Sequence, residues 1–241
     1  MINKFVIIIS FLPLIAASGC SDEPVSGSVD VASTNLEANF ETPPRDRARG
    51  PSQVALRQQL RKKGWMVYPL VPELGLGEGL GVSPTGSQHF GDQDLLLVRK
   101  IENVRLVTLY AHEDLSGYSP KSESKSTFSS EGLAHLQAMP SIREIRIRGT
   151  EIDEEGLAHL VTLPNLRKLS YGKQITDLGM MQIKQMRGLE ELELYIGDDR
   201  VTPGGFESLA ELDHLSTLKL IIGVPVSKKL LSPLREFRAL H

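Results

Sequence analysis

Apolar residues recur through the second half of the chain in a pattern whose period changes within each repeat. In GLAHLVTL, Leu157, Leu160 and Leu163 stand three residues apart, which predicts one apolar stripe on a short helix. In residues 166–171 apolar and polar positions alternate, which is typical of a strand with one buried face. A helix followed by a strand, repeated, predicts a parallel strand ladder with the helices outside.

Two segments with this pattern are closely similar in sequence, EGLAHLQAMPSIREIRI and EGLAHLVTLPNLRKLSY, and their glycines Gly132 and Gly156 are 24 positions apart. Weaker copies begin at Gly179 and Gly205, and residues 94–109 predict a further helix and strand upstream. That makes about five units, more than the roughly three that a stable stack needs. Within a unit, Asp153 is placed to cap its helix, and Pro164 ends it.

The L-x-x-L-x-L strands resemble those of leucine-rich repeat proteins. The segments 152–157 (IDEEGL) and 175–180 (ITDLGM) are similar to the I-T-D-x-G-L phrase of the ribonuclease-inhibitor-like subtype, and the resemblance covers about residues 92–225. It implies an α/β fold, a short leucine-rich-repeat solenoid. It also implies a polar side chain eight residues after the first strand leucine, a position held by Thr150, His112 and Gln174. Because these three differ, we expect an irregular, short arc.

The N-terminus has the features of an export signal. Lys4 precedes an apolar run at 5–15 and small residues at 16–19, a pattern too short for a convincing membrane-spanning helix. Ala17-Ser18-Gly19-Cys20 resembles a bacterial lipobox, which implies that Cys20 is lipidated and becomes the mature N-terminus. Ordinary cleavage before Cys20 is the alternative, and it would leave a free exported thiol.

The sequence therefore predicts five regions and a place in the cell. The regions are a signal peptide at 1–19, a disordered tether at 20–51, an N-terminal cap and loop at 52–91, the repeats at 92–225 and a C-terminal cap helix at 226–241. Ser21 after the cysteine resembles the sorting pattern for the outer membrane. We expect a membrane-anchored lipoprotein of the bacterial envelope, on the outer membrane facing the periplasm rather than on the inner membrane.

Three further segments carry specific expectations. Trp65 follows a predicted helix and is expected to plug the open end of the stack. The glycine-rich stretch 74–91 lacks a phosphate-loop register, so we expect a flexible loop. The serine-rich insertion 117–127 is a secondary candidate for contacts, because loops on a rigid frame often carry them.

Composition and motifs argue against nucleic-acid binding, an intrachain disulfide, catalysis and metal binding. The formal net charge is −3 and aromatic residues make up 5%, so no pull toward nucleic acid is implied. The single cysteine excludes an intrachain disulfide, and no H-E-x-x-H or G-x-S-x-G motif occurs. His135 and His159 share one helical position in consecutive repeats, but no third ligand accompanies them. We expect no enzyme activity, no cofactor and no metal.

The outward strand positions form the best candidate surface. If the first, fourth and sixth strand positions point inward, the third, fifth and seventh point out. These positions are Leu106, Thr108, Tyr110, Glu144, Arg146, Arg148, Lys168, Ser170, Gly172, Glu191, Glu193, Tyr195, Thr217, Lys219 and Ile221. The residues predicted to bind a protein or peptide are Tyr110, Arg146, Arg148, Lys168, Glu191, Glu193, Tyr195 and Lys219.

Three functions compete for this surface. The first is a non-enzymatic, lipid-anchored module that binds or scaffolds a protein partner through the strand face. The second is a structural envelope spacer without a specific ligand, in which Glu144, Lys168 and Glu191 pair across strands and only stabilise the sheet. The third is weak recognition of an envelope glycan by Tyr110, Tyr195 and the arginines.

Overall fold

The computed structural model describes residues 6–8, 51–85, 89–110, 126–148, 150, 152–197, 199–225 and 227–237. The strands are β1 (Val6–Ile8), β2 (Trp65–Pro69), β3 (Leu80–Pro84), β4 (Phe90–Gly91), β5 (Val104–Tyr110), β6 (Ser126–Thr127), β7 (Glu144–Arg148), β8 (Lys168–Gln174), β9 (Glu191–Ile196) and β10 (Thr217–Ile222). The helices are α1 (Pro51–Lys62), α2 (Asp92–Val98), α3 (Glu154–Leu160), α4 (Asp177–Ile183) and α5 (Pro203–Leu209). Short 3₁₀ helices span Pro72–Leu74, Glu131–Leu136 and Ser232–Glu236.

The α/β repeat solenoid predicted from the sequence is confirmed. An eight-stranded sheet has the order β1-β10-β9-β8-β7-β5-β3-β2. Neighbouring strands run parallel except at the end of the sheet, where β2 is antiparallel to β3. Successive helices pack against one another along one side of the sheet. A continuous apolar core fills the space between the two layers, and the repeated leucines Leu133, Leu157, Leu169 and Leu192 lie in it.

The stack is closed at its N-terminal end by aromatic side chains. Trp65 is only 1% exposed, as expected for a core plug. Its ring meets those of Phe90 and Phe128 edge to face, at centroid distances of 5.9 and 6.0 Å. Gly64 ends α1 with φ of 83°, a left-handed backbone that glycine adopts without strain.

Glycine stands near the start of each repeated helix because the side chain of a larger residue would clash with its neighbours. A Cβ on Gly205 would lie 2.3 Å from Oδ1 of Asp177, one repeat earlier. A Cβ on Gly132 would lie 1.9 Å from Oδ1 of Asp92, and one on Gly179 would lie 2.7 Å from Oε1 of Glu154. At Gly156 the nearest atom is instead Oγ of Ser130, at 2.8 Å. Glycine therefore recurs because a polar side chain of the preceding coil, a carboxylate in three of these four positions, lies where a Cβ would otherwise be.

These carboxylates form a series of bonds between helix starts, which we call the helix-start ladder. Asp177 accepts from the backbone N–H and the hydroxyl of Thr202 at 2.8 and 2.5 Å, and Asp92 accepts in the same way from Ser129 at 2.9 and 2.7 Å. Glu154 accepts from the N–H and hydroxyl of Thr176. Between these steps, the hydroxyl of Ser130 donates to Asp153, which caps α3 as predicted.

Two expectations about the ends of the domain are wrong. The segment 74–91 is not a flexible loop, because it contains β3 and β4 and buries Leu76 to 1% exposure. The cap helix expected over 226–241 is present, within the described residues, only as the 3₁₀ helix Ser232–Glu236. Leu230, Leu231 and Leu234 nevertheless pack against the core, so this end is covered without a long helix.

Candidate functional site

The third, fifth and seventh strand positions align across the ladder as the sequence predicts. One row of Cα partners runs Leu106, Glu144, Lys168, Glu191 and Thr217, and the next runs Thr108, Arg146, Ser170, Glu193 and Lys219. We call the surface built from these rows the strand face. The face is opposite the helices, and its side chains are set by the alternation of each strand.

The strand face is less open at its N-terminal end than the sequence predicts. Leu106, Thr108 and Glu144 are 1%, 2% and 6% exposed, so the expectation that they point into solvent is wrong. The loop between β2 and β3 explains part of this burial. Its Leu74 carbonyl accepts from Nζ of Lys168 at 3.1 Å, and its Leu76 carbonyl accepts from Arg105 at 2.6 Å.

Leu76 confirms that the loop lies over the strand face. Leu76 and Leu106 are both buried, yet neither belongs to the continuous core between the sheet and the helices. Burial in this position removes hydration from the Arg105 guanidinium. That burial, together with the positive charge of the neighbouring Arg143, lowers the pKa of Arg105. On the first row the loop reaches Lys168 of β8, whereas on the second row the open part of the face starts at Arg146 of β7.

The third row departs from the predicted register at one point. The pairing of β8 with β9 shifts between Tyr171 and Gln174, so that Gln174 rather than Gly172 is the partner of Tyr195. Gly172 has a different role, because a Cβ there would lie 2.7 Å from Cγ of Arg148. The missing side chain lets Arg148 cross β8 and reach Glu193 on β9.

Glu193 is the centre of the charge network on the face. Arg148 and Lys219 contact its two carboxylate oxygens, Lys219 at 2.8 Å, and the hydroxyl of Ser170 donates to it at 3.2 Å. Burial opposes ionisation of Glu193, but the bond from Lys219 and the positive charges of Arg148 and Lys219 outweigh it, and its pKa is lowered. Glu193 is therefore a structural counter-ion as much as a surface charge.

The remaining charged residues also pair on the face. Lys168 contacts Glu191 across the β8–β9 step at 2.8 Å. Glu144 does not complete the alternating row, because it pairs with Arg146 on its own strand. The side chain of Tyr195 lies along the end of the sheet, since a Cβ on Gly197 would approach its ring to 2.8 Å and a Cβ on Gly223 would approach its hydroxyl oxygen to 2.7 Å.

The structure brings together seven of the eight predicted binding residues: Arg146, Arg148, Lys168, Glu191, Glu193, Tyr195 and Lys219. The eighth, Tyr110, pairs through its backbone with Arg148, and its side chain lies outside the described residues. Sequence reasoning missed Leu74 and Leu76, whose loop narrows the face. The signal for this loop was weak, because glycines separate its few apolar residues.

Other predicted features stand apart from the face. Cys20 and residues 111–125 of the serine-rich insertion region lie outside the described residues. His159 shares a bond of 3.1 Å with the Gln137 amide, and no group of three potential metal ligands occurs among the described residues. In the described part of the chain, no helix is both long and apolar enough to cross a bilayer.

Comparison with known proteins gives little beyond the fold. No protein-family model matches the sequence, and no curated protein matches it. Among solved structures, the chain is similar to an internalin from Listeria monocytogenes, with 15% sequence identity and a TM-score of 0.33. The match covers 61% of this chain and 49% of the internalin, so the chain spans about half the length of that protein.

Proposed function

We propose that this chain is a non-enzymatic protein-binding module, held in the bacterial envelope by a lipidated Cys20. The observation that supports binding is the open part of the strand face. Arg146 and Arg148 keep 37% and 40% of their side chains exposed there, on a rigid sheet. Exposed arginines held in fixed positions suit recognition, because a guanidinium presents several donors in one plane.

The strand face can be tested with charge reversal in the full chain. Arg146→Glu combined with Arg148→Glu should lose a crosslinked partner in a pull-down from detergent-solubilised envelope. The matched control is Lys184→Glu combined with Arg187→Glu, which changes the net charge equally on the helix side, where both residues contact Glu211. Thermal unfolding by circular dichroism checks that each variant remains folded.

The spacer function has its own supporting observation. Most charges of the strand face already contact an opposite charge within the face, which is what sheet stabilisation alone requires. Identical pull-down profiles for wild type and the Arg146/Arg148 variant would favour the spacer over the binding module.

The anchor is tested separately. The proposal that the protein is a lipoprotein on the periplasmic side of the outer membrane depends on the leader sequence and the lipobox-like Ala17-Ser18-Gly19-Cys20. Cleavage before Cys20 would remove β1, so that β10 would become the edge strand of the mature protein. Cys20→Ser should move the protein from the detergent-extracted membrane fraction to the soluble envelope fraction. Unchanged membrane partitioning of this variant would contradict the anchor.

A further inference from the structure

The charges of the strand face are layered, with the cations outside and their carboxylates beneath. Arg146, Arg148 and Lys219 are 37%, 40% and 33% exposed in their side chains, whereas Glu144 and Glu193 are 7% and 18% exposed. We call the three cations the cationic patch. A partner approaching the face meets the patch before it meets the carboxylates.

The patch also has more positive charges than negative ones. Arg148 and Lys219 share the single carboxylate of Glu193, and Arg146 contacts Glu144, so three cations are matched by two carboxylates. The exposed charges lie closer to a bound ligand than the charges beneath them, and they lose less hydration when it binds, so they interact with it more strongly. The more exposed charges here are positive. The outward field over the patch is therefore positive.

Arg146 and Arg148 are suited to carboxylate groups in particular. Arg146 contacts Glu144 through Nε, and its two terminal nitrogens meet no acceptor among the described residues. Two terminal N–H groups in one plane match the two oxygens of a carboxylate. Arg146 and Arg148 stand two positions apart on β7, so their Cα atoms are about 7 Å apart along one side of the strand.

The boundary of the patch gives the ligand an orientation. Glu191 is 48% exposed on the first row, while its partner Lys168 is 22% exposed, so the layering is reversed there. The loop carrying Leu74 lies on the same row. An acidic ligand would therefore be repelled from the first row and held on the second and third.

We propose that the partner of the strand face presents an extended acidic segment, with carboxylates two residues apart, to the cationic patch. This inference rests on the proposed binding function and specifies the chemistry of the partner. The spacing of the ligand carboxylates matches the spacing of the two arginines. Side chains on one face of an extended segment recur at every second residue, as Arg146 and Arg148 do on β7.

The experiment uses the full chain in detergent and fluorescein-labelled peptides. The probe is (Glu-Thr)₄, and the matched peptide is (Gln-Thr)₄, which keeps the length and the extended character without the charge. We expect (Glu-Thr)₄ to bind more tightly than (Gln-Thr)₄ in fluorescence anisotropy. Binding should weaken as NaCl is raised from about 0.05 to 0.3 M, because salt screens exposed charges.

Variants locate the binding. Arg146→Gln combined with Arg148→Gln should weaken binding of (Glu-Thr)₄ at least about tenfold, since the bidentate contact of Arg146 and the positive charge of Arg148 are both lost. Lys184→Gln combined with Arg187→Gln on the helix side should change it by less than about twofold, since those residues lie outside the patch. Equal affinity for the two peptides, or equal loss in both variants, would overturn the proposal.

The outcomes separate this inference from the binding function itself. A partner that is lost from the Arg146/Arg148 pull-down, together with no binding of (Glu-Thr)₄, would leave the binding module standing and exclude an acidic segment. Binding of phosphatidylglycerol vesicles through the two arginines, without binding of (Glu-Thr)₄, would assign the patch to a lipid surface and also overturn the proposal.

Discussion

The helix-start ladder and the strand face are both polar surfaces of the same repeats, but they are built differently. On the helix side, one arrangement recurs at three steps: a carboxylate of one coil accepts from the backbone and hydroxyl of the next, as at Asp177 and Thr202. At the remaining step the roles are reversed, because the Ser130 hydroxyl accepts from the Asp153 N–H and donates to its carboxylate. On the strand face, no two steps are alike. Arg148 crosses β8 to reach Glu193, whereas Arg146 pairs within its own strand.

The difference shows which positions the stacking of coils determines. Where a carboxylate bonds the backbone of the next coil, as Asp177 does, it also lies against the glycine there, so the acid, the hydroxyl and the glycine occur together at that step. Strand-face side chains bond mainly other side chains, so stacking leaves their identity open. Positions left open by the fold are the ones that a binding function can specify.

The largest effect is expected where a side chain would enter the ladder. Gly205→Ala should destabilise the protein by about 1–3 kcal/mol, because its Cβ would lie 2.3 Å from Asp177 Oδ1 and displace a carboxylate that bonds Thr202. The neighbouring Gly204→Ala is the control, since its Cβ would meet only Thr202 Oγ1 at 3.5 Å. Gly204→Ala should be neutral or stabilising by up to about 1 kcal/mol, as alanine is the better helix former. Urea unfolding of both variants measures the contrast, and equal destabilisation would show that the ladder does not require glycine.

A smaller effect on the stability of the protein is expected at low pH, and it tests the role of Glu193 in the strand face. The folded-state pKa of Glu193 is lowered, so near pH 4 the unfolded chain binds more protons than the folded one. The stability that Glu193 contributes is therefore complete above the ordinary glutamate pKa of about 4.3 and is lost as pH falls below it. Glu193→Gln should make the loss of stability between about pH 5 and 3 shallower. Glu207→Gln, at an exposed position of α5, is the matched control for the loss of one carboxylate outside the network. An unchanged slope in Glu193→Gln would refute the role assigned to the network.

The smallest effect is expected at the exposed cross-strand pair. A double-mutant cycle with Lys168→Met and Glu191→Gln should give a coupling energy of about 0.2–1 kcal/mol, because exposed ion pairs contribute little. The cycle of Lys184→Met and Glu211→Gln on the helix side should give a similar value. A coupling energy well above this range for Lys168 and Glu191 would mean that the face is built for stability rather than for recognition.

The repeats could be predicted from the sequence because local signals agree with the fold. Leu157 and Leu160 recur with a helical period, while Leu169 and Leu192 stand in alternating segments, and all four lie in the core. The rows of the strand face followed directly, because alternation along a strand decides which side chains share a face.

The rest depended on contacts between distant parts of the chain. β3 has the sequence LGVSP, whose glycine and proline obscure a strand, yet pairing on both sides holds it in the sheet. The burial of Leu106 depends on a loop whose carbonyl bonds Lys168, 94 residues away from Leu74. The ladder was hidden for the same reason, since Asp177 and Thr202 are 25 residues apart.

The loop at Leu74 also limits the breadth of the open part of the strand face. Because that segment is bonded to Lys168 and Arg105, it covers the first row as far as β8, whereas the second and third rows are open from β7 to β10, beyond which β1 pairs with β10. Three strand spacings of about 4.8 Å leave a corridor of about 14 Å, the width of about four residues of stretched polypeptide. A partner bound there as proposed would contact the face through a short segment of about that length.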